Sequence, residues 1–165
     1  MILFYIIIIS LIQGEVSDGY TLFSPLPNQN TSGTNTTYLI DNSENIINSW
    51  SHDCTPVTIS YILPDSSIVV PCTQSEVDGL GGGGLAGGRI LKLSWDGTVL
   101  WDDIFAQSHF QPHHDIEPLP NGNILFISYE RKTLEEALSL GRESVTDEIW
   151  PSYIIELEQV GLDSS

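Results

Sequence analysis

Short runs of β-favouring residues, separated by compact polar turns, recur along most of the chain. Tyr38-Leu39-Ile40 and Ile46-Ile47 flank a polar turn, and the second run ends at Trp50. Ile90–Leu93 and Val99–Trp101 flank Ser94-Trp95-Asp96-Gly97-Thr98. Val57–Leu63 and Ile68–Val70 flank Pro64-Asp65-Ser66-Ser67. A strand carrying His113, His114 and Asp115 leads through Pro120-Asn121-Gly122-Asn123 to Ile124–Phe126, and Tyr153–Leu157 follows later. Each pair predicts a β-hairpin. Asp96-Gly97 and Asn121-Gly122 can both take positive φ, which predicts tight type I′ turns. Pro120 presets φ at its turn and gives up an N–H that the ladder does not need there. Lys132–Leu140 departs from the pattern. Its good helix formers place Leu134, Ala137 and Leu138 on one stripe and predict a short inserted helix. Trp150-Pro151 breaks the chain before the last strand.

The hairpins repeat. Leu63-Pro64-Asp65-Ser66-Ser67-Ile68-Val69-Val70 aligns with Leu119-Pro120-Asn121-Gly122-Asn123-Ile124-Leu125-Phe126. Tyr38–Trp50 likewise aligns with Ile90–Trp101: strand, polar turn, strand ending in Trp. A third copy begins at Tyr153–Gly161. A period of about 50 residues with about four strands is the size of a propeller blade. Several strands carry apolar residues on both faces, as a sheet stacked between two others requires. The fold class read from this pattern is all-β: a partial β-propeller of about two blades and the start of a third, with one short inserted helix. Such an array does not close a ring. Its open edges and faces lead us to expect a piece of a longer product, or self-association through the sheet edges.

Composition narrows function more than fold. Apolar residues make up 41% of the chain and charged residues 16%, which fits one folded domain. The net charge is −17, with five Lys and Arg together. A polyanion needs cations to displace its counterions, so nucleic acid and anionic membrane surfaces are not expected partners. Ile2–Ile12 is apolar and too short to span a bilayer, which needs roughly 20 residues. It fits the hydrophobic region of a secretory signal, although no Lys or Arg precedes it. The expected division is therefore a signal peptide over 1–14 and one incomplete propeller domain over 15–165, with the protein secreted, periplasmic or extracellular.

Two features accord with export. Asn30-Thr31-Ser32 and Asn35-Thr36-Thr37 are glycosylation sequons at Asn30 and Asn35. Cys54 and Cys72 are the only cysteines, and an oxidising compartment would join them. Such a bridge closes a loop of about 17 residues and adds on the order of 3 kcal/mol. Their spacing is a poor zinc signature. Gly79–Gly88 reads as a loop between strands and lacks the Lys-Ser/Thr ending of a phosphate-binding loop.

The candidate chemistry lies in Phe110–Glu130. His113, His114 and Asp115 open a strand. On a regular strand His113 and Asp115 share one face and His114 takes the other. Either His114 faces the hub of the propeller or the other two do. His, His and Asp are all metal ligands, but a regular strand keeps them from meeting on one ion, so no metal is expected. A carboxylate beside a histidine can fix its tautomer. The plainer alternative is a polar strand end whose imidazoles bond to neighbouring backbone. Arg131 and Lys132, beyond the next strand, could supply positive charge or lie solvated in a loop. His52-Asp53 reads as part of a turn.

With "GRILKLSWDGTVLWD", "FQPHHDIEPLPNGNILFISYE" and "IWPSYIIELE", the chain resembles the amino-terminal part of the arylsulfotransferase family over roughly Tyr20–Val160. "HHDIEPLPNGNIL" is its most specific segment. The resemblance implies an exported six-bladed propeller that moves a sulfuryl group between phenols through a histidine intermediate. It needs no cofactor, and its partners are a small aryl sulfate and a phenol. On this chain it carries a catalytic role to His113 and His114, without deciding which attacks, and substrate binding to Asp115 and Arg131. The sulfated histidine of the family is expected in a later blade, so this part alone is expected to be inactive. The competing reading is a non-catalytic extracellular propeller that binds a ligand or protein at its central face.

Overall fold

The computed structural model describes residues 17–25, 33–74, 87–107 and 109–165. The expected signal peptide, the Asn30 sequon and most of the Gly79–Gly88 loop lie outside the described residues. The described chain is mainly β and forms three antiparallel sheets. The first contains β1 (Tyr20–Phe23), β2 (Asn35–Asp41) and β3 (Ile46–His52). The second contains β4 (Tyr61–Ile62), β5 (Ile68–Cys72), β6 (Arg89–Leu93) and β7 (Val99–Ile104). The third contains β8 (Phe110–Pro118), β9 (Ile124–Glu130) and β10 (Ser152–Leu157). Strands adjacent in sequence are adjacent in each sheet, so all three are meanders. Helix α1 (Leu134–Ser139) lies in the β9–β10 connection. Thr133 and Glu136 form a reciprocal capping box at its start, and Ala137 alone of its apolar stripe is buried.

Four hairpin loops among the described residues share one design, and it is not the type I′ turn that the Asp-Gly and Asn-Gly pairs predict. In the β6–β7 loop, Gly97 N–H donates to the Ser94 carbonyl at 3.0 Å and Ser94 N–H to the Thr98 carbonyl at 2.9 Å. Gly97 has φ +86°, whereas Asp96 is not left-handed. That is a type I turn closed by a left-handed residue. Leu63–Ser67 and Leu119–Asn123 repeat both bonds, as does Asp41–Asn45. The left-handed position is filled by Glu44, Ser66, Gly97 and Gly122 in turn. Side chains select this turn. Asp65, Asp96 and Asn121 each accept, through Oδ1, the N–H two residues onward. That bond holds the Asp or Asn in its ordinary right-handed conformation and leaves the next residue to make the bend.

Packing follows from alternation along the middle sheet. Ile68, Val70 and Cys72 of β5, with Leu91 and Leu93 of β6, meet Leu39, Trp50 and Cys54. Val69 and Ile90 on the opposite face, with Trp101 of β7, meet Ile116, Ile124 and Phe126 of the third sheet. Every residue of β5 is buried. The second sheet is thus covered on both faces, as its run of apolar residues implies. Trp50 and Trp101, the equivalent ends of two hairpins, each fill one inter-sheet layer at 1% exposure. The Trp50 indole N–H also donates to the Ser94 carbonyl across the first layer, at 2.8 Å. Cys54 and Cys72 form a disulfide across the same layer. Among the described residues no helix is long and apolar enough to cross a membrane.

Candidate functional site

Strand β8 begins regularly, with His113 opposite Ile127 on β9. The next registered pair is Ile116 with Phe126, so His114 and Asp115 have no partners on β9. This is a bulge of two extra residues, and His114 takes φ +64° within it. A left-handed non-glycine residue costs roughly 1–2 kcal/mol. The bulge overturns the expectation that strand alternation sends the two imidazoles to opposite faces. Their Nδ1 atoms lie 2.7 Å apart, in hydrogen-bond contact, with ring centroids 4.9 Å apart and planes nearly perpendicular.

Each ring has a distinct environment. His113 stacks on Tyr129 of β9, with centroids 3.9 Å apart and planes 23° apart. Its Nε2 is buried and meets no hydrogen-bond partner among the described residues. Desolvation, followed by repulsion from His114, lowers the His113 pKa below its ordinary value. His114 is exposed.

Asp115 bonds to the segment that opens the second sheet. It accepts from the Tyr61 hydroxyl at 3.0 Å, the Thr58 hydroxyl at 3.2 Å and the Ile116 N–H at 2.9 Å. Desolvation and then the Asp115 carboxylate push the Tyr61 phenol up to about 12, so it stays a donor. Asp115 therefore ties the third sheet to the segment that opens the second. Tyr61, Thr58 and Tyr129 were not singled out by the sequence reading. Tyr129 could have been, since strand alternation puts it on the same face as Ile127. Nothing in the spacing links Tyr61 or Thr58 to Asp115.

Two cavities adjoin the bulge. A cleft between the second and third sheets touches Pro112, His113, His114, Asp115, Arg89 and Phe105, with a volume of about 20 Å³. That is room for about one water, not an aromatic ring. An open groove of about 280 Å³ runs along the outward face of the third sheet, past Asp115, Glu117, Leu125, Ile127 and Ile154. It is mostly apolar and wide enough for a small ring.

The other candidates lie apart from this pair. Arg131 is bound to Glu148 at 2.6 Å, and its guanidinium sits 5.8 Å from the centre of the Trp150 ring. It borders neither cavity. Lys132 pairs with Glu130. Arg89 borders the cleft but is held by Asp102 at 2.7 Å and Asp53 at 3.0 Å, which raise its pKa. Asn35 begins β2, and its Nδ2 donates to the Cys54 carbonyl at 2.9 Å; a glycan there would take one of that nitrogen's two hydrogens. His52 ends β3 instead of lying in a turn. It is buried, with Nε2 3.0 Å from the Thr37 hydroxyl and Nδ1 3.0 Å from the Cys54 carbonyl. Thr37 in turn contacts Ser24, which contacts Ser60 of the second sheet's approach.

No family model matches this chain, and neither the curated proteins nor the solved structures give a match.

Proposed function

We propose that this chain is the amino-terminal part of an exported, arylsulfotransferase-like β-propeller, and that His113 and His114 meet the sulfuryl group of an aryl sulfate. The observation that carries this reading is the bulge, which pairs the two rings through Nδ1 and leaves His114 exposed. This reading puts the attack on His114 in place of the later-blade histidine that the resemblance implies: with its Nδ1–H donated to His113 Nδ1, the Nε2 of His114 is unprotonated and nucleophilic. That nitrogen attacks sulfur, the S–O bond to the aryl group breaks, and the phenolate leaves to take a proton from solvent. The oxygen of an acceptor phenol then attacks sulfur, the S–N bond breaks, and the phenolic proton is released. His113 is a positioning residue in this scheme. Its stacking on Tyr129 fixes the ring, and its lowered pKa keeps it a neutral acceptor. The apolar groove past Leu125 and Ile127, which reaches the bulge at Asp115, would take the aromatic ring of the substrate. Asp115, holding three donors, ties the bulge to Tyr61 and Thr58.

One observation favours the alternative, a binding module without catalysis. The only cation bordering the cleft among the described residues is Arg89, and two carboxylates hold it. Charge developing on sulfonate oxygens would need cations from elsewhere in the parent protein.

The test uses 4-nitrophenyl sulfate with a naphthol acceptor and the full-length gene product. The expected result is nitrophenolate release and a mass gain of one SO₃ unit on a histidine peptide. Both should be lost in His114→Asn, which suits the left-handed backbone. Release unchanged in His114→Asn and in His113→Phe would remove the catalytic reading and leave the binding module.

A further inference from the structure

We infer that His52 and three hydroxyl groups form a reversible hydrogen-bond relay, a pH-sensitive device that links the buried end of β3 to Ser60 in the segment opening the second sheet. Four contacts make the relay. His52 Nδ1 lies 3.0 Å from the Cys54 carbonyl, and its Nε2 lies 3.0 Å from the Thr37 hydroxyl. The Thr37 hydroxyl lies 2.8 Å from that of Ser24, and Ser24 lies 3.0 Å from Ser60. The direction of the relay is forced from one end. A carbonyl only accepts, so Nδ1 carries a proton in every state, and the neutral ring must accept through Nε2. Thr37 has one proton and gives it to His52. Ser24 therefore gives its proton to Thr37, and Ser60 gives its own to Ser24.

Protonating His52 reverses the relay. Its Nε2–H then donates to Thr37, whose own proton needs another acceptor. Thr37 is fully buried, and the Ser24 hydroxyl is within reach. A stranded donor at Thr37 would bear the full cost of desolvation, so the proton of each hydroxyl turns toward the next. The excess arrives at Ser60, which is buried and ends the chain of hydroxyls among the described residues. Ser60, formerly a donor to Ser24, becomes its acceptor and must find a new partner for its own proton. Its neighbours Thr58 and Tyr61 hold Asp115 in the β8 bulge. The relay thus has two directions, and the charge on His52 sets which one is populated. The groups around the ring tune the switching point. Burial opposes the charge most, the Cys54 carbonyl and Asp53 favour it, and Arg89 of β6 opposes it. Asn35, opposite His52 on β2, is uncharged, and Cys54 and Cys72 are joined and do not titrate. Burial dominates, so the reversal comes below pH 6.5.

The relay shares no residue with the imidazole pair, so its test is independent of sulfuryl transfer. The test is a pH titration of the chain by nitrogen- and carbon-detected NMR. In the parent chain, neutral His52 should hold its proton on Nδ1, and the Ser60 side-chain signal should shift with the His52 midpoint. Ser24→Ala cuts the relay in its middle and leaves Thr37 bonded to the ring. Thr37 then has no Ser24 hydroxyl to receive its proton, so charging His52 loses one hydrogen bond. The His52 midpoint should fall by about 0.4–1.1 pH units in that variant, and Ser60 should no longer follow it. The parent readouts need no substitution and hold even where Ser24→Ala does not fold. Neutral His52 protonated on Nε2, a Ser60 signal unmoved through the His52 midpoint, an unchanged His52 midpoint in Ser24→Ala, or Ser60 still following it in that variant would each overturn the inference.

Discussion

Trp50 and Trp101 occupy equivalent places in successive hairpins, yet their indole N–H groups fare differently, and that difference can be measured. Both side chains are buried at 1% exposure in neighbouring inter-sheet layers. Trp50 donates to the Ser94 carbonyl, whereas Trp101 Nε1 is buried with no acceptor among the described residues. Replacing either by Phe removes the same atoms, so the lost apolar contact cancels to first order when the variants are compared. At Trp50 the substitution also removes a hydrogen bond, a net loss of about 0.5–1.5 kcal/mol. At Trp101 it removes an unsatisfied buried donor whose presence costs about 1–3 kcal/mol. Trp50→Phe should therefore be the more destabilising by about 1.5–4.5 kcal/mol. The assay is urea unfolding of both variants and the parent chain, with the slope checked so that midpoints convert to free energies. Equal costs within about 0.5 kcal/mol, or a larger cost at Trp101, would refute the account of how the sheets are joined.

Other outcomes follow from the loops, the disulfide and the buried histidine. Ser66→Gly and Glu44→Gly place glycine where the backbone is left-handed and should each raise stability by about 1 kcal/mol, read from the urea midpoint. Gly97→Ala and Gly122→Ala should lower it by a similar amount. Reducing Cys54–Cys72 should cost on the order of 3 kcal/mol, seen as a lower thermal midpoint with a thiol reductant. Burial lowers the His52 pKa below 6.5 in the folded state. Its contribution to stability is complete above pH 6.5, the unfolded value, and is lost as pH falls through the folded value. The lowered carboxylates Asp41, Asp65 and Asp96 lose theirs further down, below about 3.9. The urea midpoint should thus fall between pH 7.5 and pH 5 in the parent chain and fall less in His52→Gln.

The strands from β2 onward were legible because their residues alternate or run apolar between turn formers. The paired segments around Leu63-Pro64-Asp65 and Leu119-Pro120-Asn121 marked the same loop twice. β1 was not singled out, being a short exposed run, Tyr20–Phe23, with little contrast to its surroundings. The turn type was misread because Asp-Gly and Asn-Gly suit both loop designs. The deciding feature is the side-chain bond two residues onward, which also lets Ser66 stand where Gly97 and Gly122 do. At the candidate site, sequence singled out the His-His-Asp triplet but not its shape. A two-residue bulge leaves no mark in hydrophobic periodicity: β8 still reads as one strand, and only its pairing with β9 exposes the insertion. Arg131 looked available by position along the chain. Its pairing depends on Glu148 and Trp150, brought back beside it after the helix by the Lys132–Ile149 bridge.

The central claim is that the bulge in β8 brings the two imidazoles into direct contact. The measurement that tests it most directly is the titration of the His113 ring by nitrogen-detected NMR, in the parent chain and in His114→Asn. Burial and the neighbouring ring both hold the His113 pKa down, so removing the neighbour should raise its midpoint toward the ordinary value of 6.5. The parent spectrum should also show one Nδ1 protonated and the other accepting. A His113 midpoint unmoved by the substitution, with both rings titrating independently, would contradict the contact and the site built on it.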